Sequence, residues 1–281
     1  MLMYRKKLTI MPSETACTNT IKIRAMLNRL QDVASLAVMD LEGSPGELIQ
    51  RGYAWVLLRY RLEVARRLPA MDEPIVIETR HTLNDGFHTL RAFRVFAQAN
   101  EAETLVLAKT SWVLIDLAAG RPVRASQHLP EVFCDVADDP PIDPEFAAIP
   151  KLSGSALKDA PVLHTADFPV RFHDLDPVGH VNNAVYFEWM YEATPLDLMD
   201  WEIRAVDAEF RAGAKIGETV RVRIKTAGSI SLDPVTSNPE EIRAFVYEMT
   251  RAGDDRHSVA RFYALWARTG RSPNELDSNG I

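Results

Sequence analysis

Apolar residues recur at helical spacing from Ile23 through Met26, Leu27, Leu30, Ala34, Ala37 and Val38, while Arg24, Asn28, Gln31 and Asp32 fall on the other face. Residues three and four apart share one side of an α-helix, so this pattern predicts an amphipathic helix. Four runs of strand character follow: Trp55 to Val64, Ile75 to Thr82, Thr89 to Ala97 and Thr104 to Leu117. The same order then returns. Asn183 to Ala193 is a helical run with Val185, Tyr186, Trp189 and Met190 apolar, and strands are expected over Ile203 to Arg211, Thr219 to Thr226, Glu241 to Thr250 and Ser258 to Arg268. Val220, Val222 and Ile224 alternate with Arg221, Arg223 and Lys225, the period of two of a strand with one covered face. A short leading strand is expected before each helix, at Tyr4 to Ile10 and at Phe168 to Phe172.

Between the two sets the composition changes. From Cys134 to about Leu163 the chain carries Asp138-Asp139-Pro140-Pro141, Asp143-Pro144 and Ser153-Gly154-Ser155. Proline removes backbone donors and fixes φ, so this stretch reads as an extended linker. The expected organisation is therefore residues 1–133, a linker over 134–163, a second unit over 164–270 and a tail over 271–281. Consecutive strands without intervening helices favour antiparallel pairing over βαβ units. The second helix is apolar around most of its circumference, as suits a helix wrapped by sheet. The fold class is α+β: a double hot-dog, two tandem repeats, each a central helix wrapped by a curved antiparallel β-sheet.

Composition narrows the setting. The 281 residues are 47% hydrophobic and 25% charged, ordinary for a globular chain. No apolar run approaches the roughly 20 residues that span a bilayer, so no membrane insertion is expected. No apolar signal core follows Arg5, Lys6 and Lys7, and Cys17 and Cys134 are far apart without metal-ligand spacing; both point to a reducing cytoplasm. A net charge of −7 disfavours nucleic acid as a partner. It would also repel an acidic protein partner at long range unless a basic patch offsets it. Arg66 with Arg67 and Arg121 with Arg124 are candidates, though solvated surface charge is their simpler reading.

The densest polar cluster runs from Arg171 to Asn183, between the second leading strand and the second helix. Pro177 and Gly179 mark a turn, and Asn182 or Asn183 can cap the helix. A helix start offers free N–H groups and the positive end of a dipole, which favour an oxygen that becomes anionic. Asp176 and His180 lie four residues apart across that turn, near enough to serve one reacting centre. A carboxylate beside an oxyanion site suffices for attack on an already activated carbonyl, so no metal or other cofactor is expected. The equivalent stretch of the first half, Ser13 to Thr20, has no Asp/His pair. The chemistry is thus expected in the second half, with the first shaping the pocket or the interface. His173, Asp174, Asp176 and His180 are metal-ligating types, but their spacing matches no zinc pattern. Asp174 reads as turn chemistry, Asn182 first as a cap, and Tyr186 and Trp189 as core. Glu209 shares a strand face with Asp207 and Arg211, which suits a surface ion pair; it is kept as a supporting candidate.

Asp174-Leu175-Asp176 followed by His180-Val181-Asn182-Asn183, Tyr186 and Trp189 resembles the motif of the acyl-ACP thioesterases of plants and bacteria. Trp112-Val113-Leu114-Ile115-Asp116 with Gly120-Arg121-Pro122 resembles the end of their first hot-dog repeat, and the likeness in layout covers about residues 4 to 268. The run from Asp174 to His180 also resembles single hot-dog thioesterases of the 4-hydroxybenzoyl-CoA type, where the residue matching Asp176 is base or nucleophile. The resemblance implies a thioester hydrolase of fatty acid metabolism, releasing free fatty acid and a carrier thiol. Acyl carrier protein is the implied carrier, with CoA close behind. It also implies that Asp176 activates water or attacks the acyl carbon while His180 orients or stabilises. One carboxylate without a second nucleophile favours the water route.

The match has two departures. The plant enzymes carry an Asn two residues before the His, where this chain has Val178. Their Glu-Cys pair is replaced by Gly213-Ala214, so a cysteine nucleophile is not available at that place. An enoyl hydratase or dehydratase of tandem hot-dog type is a second reading; those resemble an Asp to His spacing of five with an intervening Asn-Pro, which this chain lacks. A non-catalytic acyl-binding protein is a third. Monomer and homodimer are both compatible with a double hot-dog.

Overall fold

A computed structural model of the chain describes residues 3–39, 44–84, 86–129, 160–229 and 242–269. Most of the expected linker, Cys134 with it, and the tail over 271–281 lie outside the described residues.

The first repeat runs β1 (Tyr4–Thr9), α1 (Ile23–Leu36), a short α2 (Pro45–Gln50), β2 (Tyr53–Val64), β3 (Pro74–Asn84), β4 (His88–Ala97), β5 (Thr104–Asp116) and β6 (Arg121–Val123). The second runs β7 (Val162–Pro169), α3 (Asn183–Ala193), β8 (Trp201–Phe210), β9 (Thr219–Ser229), β10 (Ile242–Arg251) and β11 (Asp254–Arg268). One continuous sheet joins them in the order β1-β3-β4-β5-β2-β8-β11-β10-β9-β7, with β6 on β5. The same internal order appears on both sides of the β2–β8 junction, and every pairing is antiparallel. This is the double hot-dog that the repeated pattern predicts.

The two helices explain why the sheet curves around them. α1 buries one stripe, Ile23, Met26, Leu27, Leu30 and Val33. α3 buries Ala184, Val185, Tyr186, Phe187, Trp189, Met190 and Ala193, which leaves it little polar surface, so it needs cover on nearly all sides. It stops at Thr194, whose Oγ1 donates to the Met190 carbonyl at 2.7 Å, and Pro195 cannot continue a helix. Tyr186 and Trp189 are core, as expected, at 1% and 2% exposure. No helix among the described residues is long and apolar enough to cross a membrane.

The repeats are tied at two places. On the outer face of the junction, Arg59 of β2 grips the buried Asp207 of β8 with two hydrogen bonds of 2.8 and 2.5 Å. Between the helices, Arg24 of α1 pairs with Glu188 of α3 at 2.6 Å and donates to the His173 carbonyl at 3.2 Å.

One expectation is corrected. The second leading strand is not Phe168 to Phe172: it begins at Val162, ends at Pro169, and Phe172–Asp174 is a turn of 3-10 helix. The cause is Asp174, whose carboxylate accepts the Arg171 backbone N–H at 2.9 Å and bends the chain out of the sheet.

Candidate active site

The loop before each helix folds the same way, so the two can be compared position by position. A 3-10 turn comes first (Pro12–Glu14 and Phe172–Asp174), followed by an isolated bridge, Thr15 to Ile21 and Leu175 to Val181. Within it, the Ala16 N–H donates to the Thr20 carbonyl at 2.8 Å, as the Asp176 N–H does to that of His180 at 2.7 Å. The apex is left-handed in both, Asn19 at φ 60° and Gly179 at φ 81°. Ala16 and Thr20 therefore hold the places of Asp176 and His180. One scaffold occurs twice, and the second copy alone carries the polar pair.

Asp176 uses its two oxygens differently. Oδ1 accepts the backbone N–H groups of Val178 at 3.0 Å and His180 at 3.1 Å, which fixes the carboxylate within the turn. Oδ2 accepts no hydrogen bond among the described residues. Asn182 caps α3, its Oδ1 accepting from the Ala184 N–H at 2.9 Å. The N–H of Asn183, first residue of the helix, has no partner among the described residues.

These groups close one end of a cavity of about 380 Å³. Asp176, Pro177, Val178, Asn182 and Asn183 come from the second repeat. The rest of the wall belongs to the first repeat: Gln31, Asp32, Ala34 and Ser35 of α1 and the inward faces of β2 to β5, including Tyr60, His81, Arg91, Phe93, Thr110 and Trp112. The polar face of α1 thus splits, with Arg24 meeting α3 while Gln31 and Asp32 face the cavity.

Two of the four candidates stand elsewhere. The ring of His180 lies against Gly213: a Cβ added there would sit 2.7 Å from Cδ2 and 2.8 Å from Cγ. In the first repeat the corresponding residue is Leu68, because Ile21 N–H donates to the Pro69 carbonyl as Val181 N–H donates to that of Ala214. The glycine makes room for an imidazole where the first repeat has a leucine beside a threonine. Sequence reading noted Gly213 only as a departure; its meaning needs the fold. Glu209 is not brought to the group. Ala208 and Phe210 pack on the inner core, so alternation turns Glu209 outward with Asp207, where it lies 3.4 Å from Arg211 and opposite Arg59 in register.

Asp174 anchors the loop. Its carboxylate is fully buried and receives two hydrogen bonds from the Arg171 guanidinium at 3.0 and 2.9 Å, with Arg24 at 3.9 Å. Burial pulls its pKa up, yet the hydrogen bonds from Arg171 and the charges of Arg171 and Arg24 together outweigh that and hold it below the usual carboxylate value. A depressed folded pKa stabilises at all pH values above the ordinary carboxylate value, and the contribution is lost as pH falls through the lowered one. Asp174→Asn is therefore expected to cost on the order of 2–3 kcal/mol at neutral pH, a loss that shrinks in acid. Thermal unfolding of both proteins across the acid range checks this; a gap that does not narrow counts against it.

Residues 1–133 match the acyl-ACP thioesterase N-terminal domain and residues 158–264 the acyl-ACP thioesterase C-terminal domain. A chloroplastic acyl-[acyl-carrier-protein] hydrolase of Cuphea viscosissima is 26% identical over 221 residues, covering 75% of this chain and 52% of that protein. The chloroplastic oleoyl-acyl carrier protein thioesterase 2 of Arabidopsis thaliana is 26% identical over 224 residues, 74% of this chain and 59% of its own length. The chain thus spans little more than half the length of these relatives. Among solved structures, the 12:0-ACP thioesterase from Umbellularia californica superposes with a TM-score of 0.74 at 19% identity, covering 95% of this chain and 94% of that one. An acyl-ACP thioesterase from Bacteroides thetaiotaomicron gives 0.70 at 20% identity, covering 94% and 97%. These structures share the fold, and with both domain matches laid end to end across the two repeats, the chain belongs to the acyl-ACP thioesterase family.

Proposed function

We propose that the chain hydrolyses an acyl thioester, with the acyl group in the cavity of the first repeat and the reacting carbonyl at the end closed by the second. The observation that carries this reading is the division of labour in Asp176, a residue of the cavity lining: one oxygen is locked by two backbone N–H groups and the other accepts no hydrogen bond among the described residues. In this reading Oδ2 takes a proton from water as its oxygen attacks the thioester carbon. The carbonyl oxygen becomes an oxyanion, which the Asn183 N–H and the N-terminal end of α3 stabilise. The C–S bond then breaks, the acid leaves, and the thiolate takes the proton back from Asp176. His180, held against Gly213, fixes the turn that presents Asp176, and Asn182 fixes the helix start.

The likeness to acyl-carrier-protein hydrolases favours acyl carrier protein as the carrier, with CoA second, and a place in fatty acid metabolism. Division of the chain into residues 1–133 and 164–270 around a linker, and a cytoplasmic setting, belong to the same reading. Both walls of the cavity come from one chain, so no second copy is needed to complete it. The test is release of free thiol from acyl-ACP and acyl-CoA substrates. Turnover, faster with the carrier protein, is the expected result; binding without thiol release would move the acyl-binding reading to the front.

A further inference from the structure

The cavity wall carries four polar side chains where the matching row of the other repeat is apolar at three of its four positions. Followed through the strand registers, one transverse row of the first repeat runs His81 on β3, Arg91 on β4, Thr110 on β5 and Tyr60 on β2. The corresponding row of the second repeat, at the same distance from the start of β9 as His81 is from the start of β3, runs Thr226, Phe245, Ala264 and Val206. The four residues of the first row are buried, Arg91 at 6% exposure and Tyr60 at 1%. All four line the cavity.

Arg91 donates to Thr79 Oγ1 at 3.1 Å and to His81 Nε2 at 2.7 Å. A guanidinium can only donate, so His81 Nε2 accepts and the ring is neutral. Burial, with the charge of Arg91 added, holds the His81 pKa well below its usual value. No carboxylate pairs with Arg91 among the described residues. Burial alone lowers its pKa, to about 10, so it stays cationic at neutral pH. Elsewhere in the same cavity lining, Thr89 Oγ1, Tyr60 Oη and Gln31 Nε2 are buried with no hydrogen-bond partner among the described residues. An unsubstituted alkyl chain would offer none of these groups a hydrogen bond. Arg91 is a cation whose partners Thr79 and His81 are neutral, and Gln31 Nε2 is a donor without an acceptor among the described residues.

We propose that the acyl group this cavity takes carries an oxygen acceptor on its chain (a hydroxyl, oxo or carboxylate oxygen), received at the polar wall that Arg91, Thr89 and Tyr60 share. The inference rests on the thioesterase reading above. The row also points the right way for it. Tyr60 touches Phe187 of α3, ring centroids 5.5 Å apart, whereas Arg91 stands two strands further on, roughly 10 Å at the usual strand spacing. The donors therefore extend from the catalytic helix into the first repeat, along the path of the acyl chain.

The experiment compares kcat/KM for octanoyl, ω-hydroxyoctanoyl, β-hydroxyoctanoyl and suberyl thioesters on one carrier. At least one oxygenated chain is expected to exceed octanoyl by about tenfold or more; the suberyl and hydroxy arms tell a carboxylate from a neutral oxygen. Arg91→Met should bring that ratio toward one, and Tyr60→Phe, which removes only the unpartnered hydroxyl, should lower it even if Arg91→Met does not fold. Octanoyl equal to or better than every oxygenated chain overturns the inference, as does a ratio that survives both substitutions. Thioether analogues of the same four chains, which cannot be hydrolysed, are titrated by the fluorescence of Trp55 and Trp112 in the cavity wall. If no thioester is turned over, the thioesterase reading fails by itself, and tighter or equal binding of the oxygenated thioethers still decides this one.

Discussion

Gly213→Ala is expected to lower kcat by about 10–100-fold while leaving the melting temperature nearly unchanged. The added methyl carbon would sit 2.7 Å from the His180 ring, closer than such atoms approach, so either the ring or the 211–218 loop must move. The loop resists: the Ala214 carbonyl accepts the Val181 N–H at 2.9 Å, the Ala214 N–H donates to Tyr186 Oη at 3.0 Å, and Arg251 ties Glu218 and the Gly213 carbonyl. The ring therefore yields, and with it the turn that presents Asp176. Gly213 itself is exposed and its φ is not left-handed, so alanine brings no backbone strain and little cost in stability. A double-mutant cycle with His180→Ala makes the test specific. In that background the extra methyl should have almost no effect; an undiminished loss would show that Gly213 acts by some other route than the imidazole.

The larger loss is expected from Asp176→Asn. Asparagine keeps the shape and can still accept the Val178 and His180 N–H groups through its Oδ1, so the turn should survive. What it cannot do is take a proton through the other position, where an amide nitrogen replaces the open oxygen. A general base typically contributes 10²- to 10⁴-fold, and a fall in kcat of about that size is the expected outcome, with KM changed little. Ala16 holds the same place in the first repeat, so Ala16→Asn supplies a matched control on the same scaffold and should leave turnover within about twofold. A variant that does not fold, judged by circular dichroism, would instead mark Asp176 as a structural turn residue.

Much of this is legible in the sequence. α3 begins and ends where the apolar run does, and nine of the strands follow from runs of apolar and β-branched residues, because burial imposes period on sequence. The start of β7 was not legible: Val162 to Thr165 is exposed and is a strand only because β9 lies beside it. The turn at Phe172 hides in an apolar-looking run and is set by the hydrogen bonds of one buried carboxylate. α2 left a local mark that could have been read, Ser44-Pro45-Gly46-Glu47, a capping box with proline in the first turn.

The site divides along the same line. Asp176 and Asn182 are local, written into a turn and a helix start, and the structure brings both to the cavity. The facing of Glu209 is a matter of which side of β8 meets the helices, which alternation alone does not say. The polar row is the least legible part. In β4 the inward face changes from Val95 and Phe93 to Arg91 and Thr89, so a pattern that looks like a strand turning its polar side to water is a polar cavity wall. Only pairing across β3, β4, β5 and β2 assembles it.

The central claim is that a single carboxylate activates water on the thioester, without an acyl-enzyme. One turnover in ¹⁸O-labelled water, with enzyme in excess over acyl-ACP, tests it most directly. The account predicts one ¹⁸O in the released acid and an unlabelled Asp176 in the digested protein. Label in the Asp176 carboxylate, or an acylated chain trapped by acid quench, would contradict it and make Asp176 the nucleophile.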